Sequence, residues 1–171
     1  MSAEAPYKTL LMTVLMTPDM ANFSGHVHGG AMLRLLDQVA YACAARYSGC
    51  YVVTLSVDQV TFREPVYVGE LVTFKASINF TGTTSMEVGI RVEAESIRAH
   101  TSRHVMTCYF TMVAVDEHGA SVQVPQLVVT TPLERKRWTA AQLHREYRKE
   151  IERRTFEIRK NPENESDGER D

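Results

Sequence analysis

The chain has 171 residues, enough for one ordinary hydrophobic core, and nothing in its composition demands a second. Hydrophobic residues make up 44% and charged residues 23%, the balance of a soluble globular protein, and a net charge of -2 excludes a global attraction to nucleic acid or membranes. The charge is unevenly spread: residues 1–130 carry -3, residues 131–160 carry +5 and residues 161–171 carry -4. A mildly acidic domain over 1–130, a basic C-terminal helix over 131–160 and an acidic tail are expected. The first residues contain no basic leader, no small-residue cleavage site and no apolar run of bilayer length, so a cytoplasmic protein is expected.

Residues 7–16 are rich in Leu, Val and Thr and end before Pro18, the pattern of a first strand followed by a loop over 17–28. From Gly29 onward, Ala31, Met32, Leu35, Leu36, Val39, Ala40, Cys43 and Ala44 recur on one helical face, and Gly49 stands just past the last of them as a terminator. The outer face carries only Arg34, Asp37 and Arg46 as charges, so this helix should be wrapped on most sides. Period-two runs follow over 51–62, 70–80, 85–97 and 104–115, with turn chemistry at 63–70, 81–84, 98–103 and 116–119. Each run is long enough to pair with its sequence neighbour. One long helix and then an antiparallel meander predict an α+β domain in which a curved sheet wraps a central helix. Farther on, Thr131, Pro132 and Glu134 fit a helix start in which Thr caps, Pro takes the first position and Glu reaches back. The charged helix that follows, to Lys160, has only a thin seam of Leu133, Leu143, Tyr147, Ile151 and Ile158, suited to packing on one surface or on another subunit. Residues 161–171 have almost no apolar content and are expected to be disordered.

Few segments are equipped for chemistry. Cys43, Cys50 and Cys108 are odd in number, lack metal-ligand spacing and lie in apolar runs, which fits buried reduced thiols better than a disulfide framework. His26 and His28 are only two ligands, with no nearby Cys, Asp or Glu to complete a metal set, so no metal is expected. No Gly-x-Ser-x-Gly elbow and no ordered Ser, Asp and His set is present, which disfavours serine-hydrolase chemistry. The stretch from Asn22 to Asp37 is different: a polar, glycine-rich loop runs directly into the apolar helix. Asp37 falls at the margin of the apolar stripe, either as a boundary acid satisfied by solvent or as a nucleophile or base. Asn22 either caps a turn or donates its amide to a substrate oxygen, and Gly25, Gly29 and Gly30 let a ligand approach the N–H groups of the helix start. The hairpin Thr83, Thr84 and Ser85, with Arg91 on the following strand, is either an ordinary turn or a hydroxyl-rich cationic place for a phosphorylated ligand. The basic run 134–160 is interleaved with Glu and poor in aromatics, which favours a solvated helix over a nucleic-acid surface.

Taken in order, Asn22-x-x-Gly25-x-x-His28-Gly29-Gly30 with Leu35-Leu36-Asp37, then 53–62, then Pro65-Val66-x-Val68-Gly69-Glu70, resembles the hotdog-fold acyl-CoA thioesterases, and within them the acyl-CoA hydrolase branch. The resemblance extends over about residues 8–130 and includes Thr84–Val88 and Cys108–Val113, whereas the basic helix and acidic tail match nothing diagnostic. It implies a glycine-led helix inside a curved antiparallel sheet, a homodimer with sites at the interface, assembly as a trimer of dimers, and hydrolysis of acyl-CoA to fatty acid and CoA without a cofactor. It further implies that Asp37 is the acid, that Asn22 and the Gly30 N–H meet the thioester carbonyl, and that Asn22 of one subunit meets Asp37 of the other. On this reading Arg91, Arg103 and Thr83 to Ser85 become candidates for the CoA phosphates. A hydratase or dehydratase of acyl thioesters and a non-catalytic acyl-CoA-binding regulator are the alternatives.

Overall fold

The long apolar stripe folds as α1, Gly29–Ser48, which starts at His28 as cap and stops at Gly49, whose φ of 70° is the left-handed conformation that ends helices cheaply only with glycine. Met32, Leu35, Leu36, Val39, Ala40, Cys43, Ala44 and Tyr47 form its buried face. The computed structural model describes residues 7–58 and 60–160, and the acidic tail at 161–171 lies outside the described residues. Two units are distinguished, one ending at Val128 and the other beginning at Val129.

In the first unit five strands, β1 (Thr9–Leu15), β2 (Tyr51–Asp58), β3 (Leu71–Thr81), β4 (Ser85–Ser96) and β5 (Thr101–Val115), form one antiparallel sheet in the order β1-β3-β4-β5-β2. All five touch α1. Inward side chains of the three central strands, among them Phe74, Val88, Ile90, Phe110 and Met112, are fully or almost fully buried around the helix. The sheet therefore encloses the buried face of α1, but the face bearing Leu33, Arg34, Asp37, Gln38 and Tyr41 is open.

Pairing departs from the expected neighbour-to-neighbour meander. β2 pairs with β5 rather than β3 and occupies one edge, while β1 pairs with β3 at the other. The long connection from β2 to β3 permits this: beyond Asp58 the chain leaves the sheet, the Arg63 N–H donates to Val105 O at 3.0 Å, and the Val27 N–H donates to Val66 O at 2.8 Å. Residues 60–62, expected to extend the strand, instead bring Phe62 against the first turn of α1, where a Cβ on Gly29 would lie 3.6 Å from its ring. β5 begins three residues earlier than expected, because Thr101–Arg103 pair with Ser96–Ala94, and the remaining turn carries His100 at φ 52°.

The second unit contains α2, Pro132–Lys160. Its first turn is a reciprocal cap: the Glu134 N–H donates to Thr131 Oγ1 at 3.1 Å, and Glu134 Oε2 accepts from the Thr131 N–H at 3.2 Å and the Thr130 N–H at 2.7 Å. Farther along, Arg153 bridges Glu150 and Glu157, and Arg154 also reaches Glu150, the i,i+3 and i,i+4 pairs expected of a solvated helix. Among the described residues no helix is long and apolar enough to cross a membrane.

Candidate active site

The loop before α1 is a tight turn built around one side chain. Ala21 and Val27 pair as a bridge, the Asn22 N–H donates to His26 O at 2.7 Å, and Gly25 turns the chain at φ 78°. Inside the turn Asn22 Oδ1 accepts from the N–H groups of Ser24 at 2.9 Å and His26 at 3.1 Å. Two donors on one oxygen set which way the amide points, so the Nδ2 group keeps its hydrogens for another acceptor. Asn22 lines an open cleft of about 380 Å³ with His26, Gly29, Phe62, Arg63 and Glu64. The turn-capping reading of Asn22 holds through its oxygen, and that arrangement leaves the nitrogen directed away from the turn.

The Gly30 N–H, expected to be open to a substrate oxygen, donates to Nδ1 of His28 at 2.9 Å. His28 is the cap of α1, and accepting at Nδ1 puts the proton of its neutral ring on Nε2. Asp37 lies eight residues beyond Gly29, about 12 Å farther along the helix at the usual rise. It is exposed, and its Oδ1 accepts from the hydroxyl of Thr54 on β2 at 2.6 Å. A hydroxyl donating to a carboxylate at this length is a charge-assisted hydrogen bond. Leu33 and Tyr41, one turn before and after Asp37, are exposed, and the edge strand itself exposes Tyr51, Val53, Leu55 (68%) and Val57 over its two faces. Asn22 and Asp37 therefore occupy different places on one protomer.

A second polar cluster sits beside the Asn22 cleft. Glu70, 7% exposed, receives Arg103 Nη1 at 2.6 Å and Nη2 at 2.9 Å, and its Oε2 also accepts from the Tyr67 N–H at 2.9 Å. Burial pushes the Glu70 carboxyl up, but the Arg103 hydrogen bonds, the Tyr67 N–H and the Arg103 charge outweigh it and hold the group below the usual carboxylate range. Arg103 also donates to Pro65 O and lies over the Tyr67 ring, 5.6 Å from its centre. The Tyr67 ring in turn contacts His26, with centroids 5.0 Å apart, and the two residues form a backbone bridge.

The residues considered for the CoA phosphates do not gather on one protomer. Thr83, Thr84 and Ser85 form the β3–β4 turn, whose carbonyls accept from Val124, Ala114 and Gly82 N–H groups at 2.8–3.0 Å. Arg91 lies six residues along β4, about 20 Å away at strand rise, with its Nε on Glu93 at 2.9 Å. Arg103 is engaged by Glu70 as described. Cys43 and Cys108 are buried, which pushes both thiols up to about 12, the effect at Cys43 being partly opposed by Arg46. Both are inert as nucleophiles at neutral pH. Among the described residues no group of three His, Cys, Asp or Glu could hold a metal ion.

Sequence reasoning passed over Thr54, which strand propensity alone accounts for, and the Arg103–Glu70 pair, whose partners stand 33 residues apart. The signal for the latter is faint: a lone acid at the head of an apolar strand.

A family model described as the thioesterase superfamily matches residues 24–101. Protein VdlD of Helicobacter pylori is 49% identical over 81% of this chain and 79% of its own length. An uncharacterized acyl-CoA thioester hydrolase of Zymomonas mobilis is 34% identical over 77% of this chain and 89% of its own. Among solved structures, an apo-hexameric acyl-CoA thioesterase superposes with a TM-score of 0.81 at 32% identity, covering 84% of this chain and 92% of that one.

Proposed function

This chain belongs to the hotdog-fold thioesterase superfamily, among its acyl-CoA thioester hydrolases, and on that premise we propose that it hydrolyses fatty acyl-CoA to free fatty acid and CoA in the cytoplasm. Asp37 of one protomer and Asn22 of a second form the reactive pair. The observation that carries the reading is the Asp37–Thr54 bond on an edge strand that leaves Leu55 and Val57 exposed, with Leu33 and Tyr41 exposed one turn to either side of Asp37. An apolar surface of this kind around a carboxylate calls for a cover. A second copy paired across β2 supplies it with twofold symmetry and brings a partner loop toward the acid. Dimers of this kind join as a trimer of dimers, in keeping with the hexameric relative.

In the assembled site the thioester oxygen takes the amide hydrogens of Asn22 and displaces the His28 ring from the Gly30 N–H, so developing negative charge meets fixed donors at a helix start. Asp37, held by Thr54, attacks the carbonyl carbon to give a mixed anhydride, or takes a proton from the water that does. In either case CoA leaves as the thiolate. In single turnover in ¹⁸O-water, label in the Asp37 carboxylate identifies an anhydride opened at the aspartyl carbon, and trapping of an acylated Asp37 identifies one opened at the acyl carbon; neither arises on the general-base route. For the CoA phosphates, Thr83 to Ser85 and Arg91 remain the proposed contacts.

Asp37→Ala and Asn22→Ala are expected to lower the release of thiol from acyl-CoA by about 10²–10³-fold or more, with oligomeric state unchanged. Mixing the two inactive variants with subunit exchange should restore about a quarter of wild-type activity, since half the dimers are mixed and each holds one intact site. Near-full activity of either variant overturns the reading, and absence of restored activity overturns the two-subunit site.

A further inference from the structure

Arg103 offers a cation near the Asn22 cleft, yet its charge is already matched. Both terminal nitrogens lie on the Glu70 carboxylate, one of them also on Pro65 O, and Glu70 is buried. Three of the five Arg103 N–H groups are engaged by Glu70 and Pro65, so a phosphate arriving here would meet an ion pair already neutralised by a buried carboxylate, a weaker lure than an unmatched cation. What the pair does hold is the 65–70 segment. Glu70 ties the Tyr67 N–H, Arg103 ties the Pro65 carbonyl and lies over the Tyr67 ring, and the segment so fixed is the one against which residues 26 and 27 pair. The Val27 N–H donates to Val66 O at 2.8 Å, His26 bridges Tyr67, and the His26 N–H is one of the two donors that orient the Asn22 amide. Contact is continuous from β5 to the amide.

We propose that Arg103 and Glu70 are positioning residues for hydrolysis: through Tyr67 and His26 they hold the Asn22 turn so that its Nδ2 group points at the substrate, and Arg103 takes no part in binding the CoA phosphates. The inference rests on the reading of Asn22 as the amide that meets the thioester oxygen. Misplacement of a donor by about 1 Å costs about a hundredfold in rate, so partial loosening of the turn should be visible in kcat.

The test uses full-length Arg103→Lys and Glu70→Gln, each conservative in charge or shape, assayed on acyl-CoA and on the corresponding N-acetylcysteamine thioester, which has no phosphate. The expected result is a fall in kcat of about 10–100-fold on both substrates, with the KM for acyl-CoA nearly unchanged. In an Asn22→Ala background, Arg103→Lys should then cost little more, the non-additivity of residues acting through one another. Backbone hydrogen exchange at 22–27 should quicken in both variants without substrate. A rise in KM confined to acyl-CoA assigns Arg103 to the phosphates and overturns the proposal. A loss that multiplies in full with Asn22→Ala overturns it as well, as does unchanged exchange at 22–27. Full activity of Asn22→Ala alone overturns the reading of the site, and the exchange measurement still reports separately whether the pair holds the turn.

Discussion

Thr54→Val removes one hydroxyl while keeping a β-branched side chain suited to an edge strand. The hydroxyl donates to Asp37 Oδ1 at 2.6 Å, whereas its approach to Met112 Sδ is 3.6 Å, so its single proton belongs to the carboxylate. A hydrogen bond to a charged group contributes about 1.5–3 kcal/mol net. Both partners are exposed on the protomer, which places this one at the low end, about 1.5 kcal/mol. A barrier change of that size is roughly tenfold in rate. Thiol release from saturating acyl-CoA should therefore fall about tenfold in Thr54→Val and recover most of the loss in Thr54→Ser, which restores the hydroxyl. The cost to folding should not exceed that same value, about 1.5 kcal/mol, which thermal melting checks, so a folded variant with lowered kcat is expected. Unchanged kcat in Thr54→Val, or equal impairment in Thr54→Ser, would show that the bond does not prepare Asp37 for its role.

The Glu70 carboxyl lies below the usual range when folded, so its ion pair stabilises the protein fully above the ordinary carboxylate value and loses that contribution as pH falls through it toward the lower folded value. Melting temperatures of wild type and Glu70→Gln should keep a constant gap from pH 7 down to about 5 and narrow as pH falls below the ordinary carboxylate range; a gap that does not narrow on acidification would place its origin elsewhere. On the sheet, Ser77 lies opposite Gly89, and a Cβ on Gly89 would run into the amide nitrogen of Asn79. Gly89→Ala should destabilise by about 1–3 kcal/mol in denaturant titration, with part of the loss recovered by adding Asn79→Ala; a wild-type midpoint for Gly89→Ala alone refutes the close approach.

What could be read in advance follows from the range over which each cause acts. The ends of α1 and the start of α2 are legible because Gly49 and the Thr131, Pro132 and Glu134 set act within one helical turn. The inward faces of β3, β4 and β5 are legible because alternation is local. Strand neighbours are not: nothing within Tyr51–Asp58 says whether β2 will meet β3 or β5, since alternation fixes a face and never a partner. The same limit governs the site. Asn22 and Asp37 stand out because an amide and an acid flank one glycine-rich helix start, whereas Thr54 and the Arg103–Glu70 pair gain their meaning only from contacts 17 and 33 residues away.

One feature of β2 was nonetheless written in the sequence at longer range than the pairing. Tyr51, Val52, Val53, Leu55 and Val57 form a nearly continuous apolar run, the signature of a strand covered on both faces rather than one. The protomer covers only part of it: Val52 is buried, while Tyr51, Val53, Leu55 and Val57 are exposed. An edge strand left in that state is a template for association, and soluble proteins ordinarily blunt such edges with charge or proline, neither of which interrupts Tyr51–Val57. In the proposed two-subunit arrangement, the missing cover and the missing half of the Asp37 site lie at the same edge. Closing one with a second copy closes the other, so substitution of Leu55 by a charged residue should split the assembly and abolish hydrolysis together, although Leu55 touches neither Asp37 nor Thr54 by hydrogen bond. Monomeric protein that retains full thiol release, seen by sizing and assay of Leu55→Glu, would separate the two and refute the link.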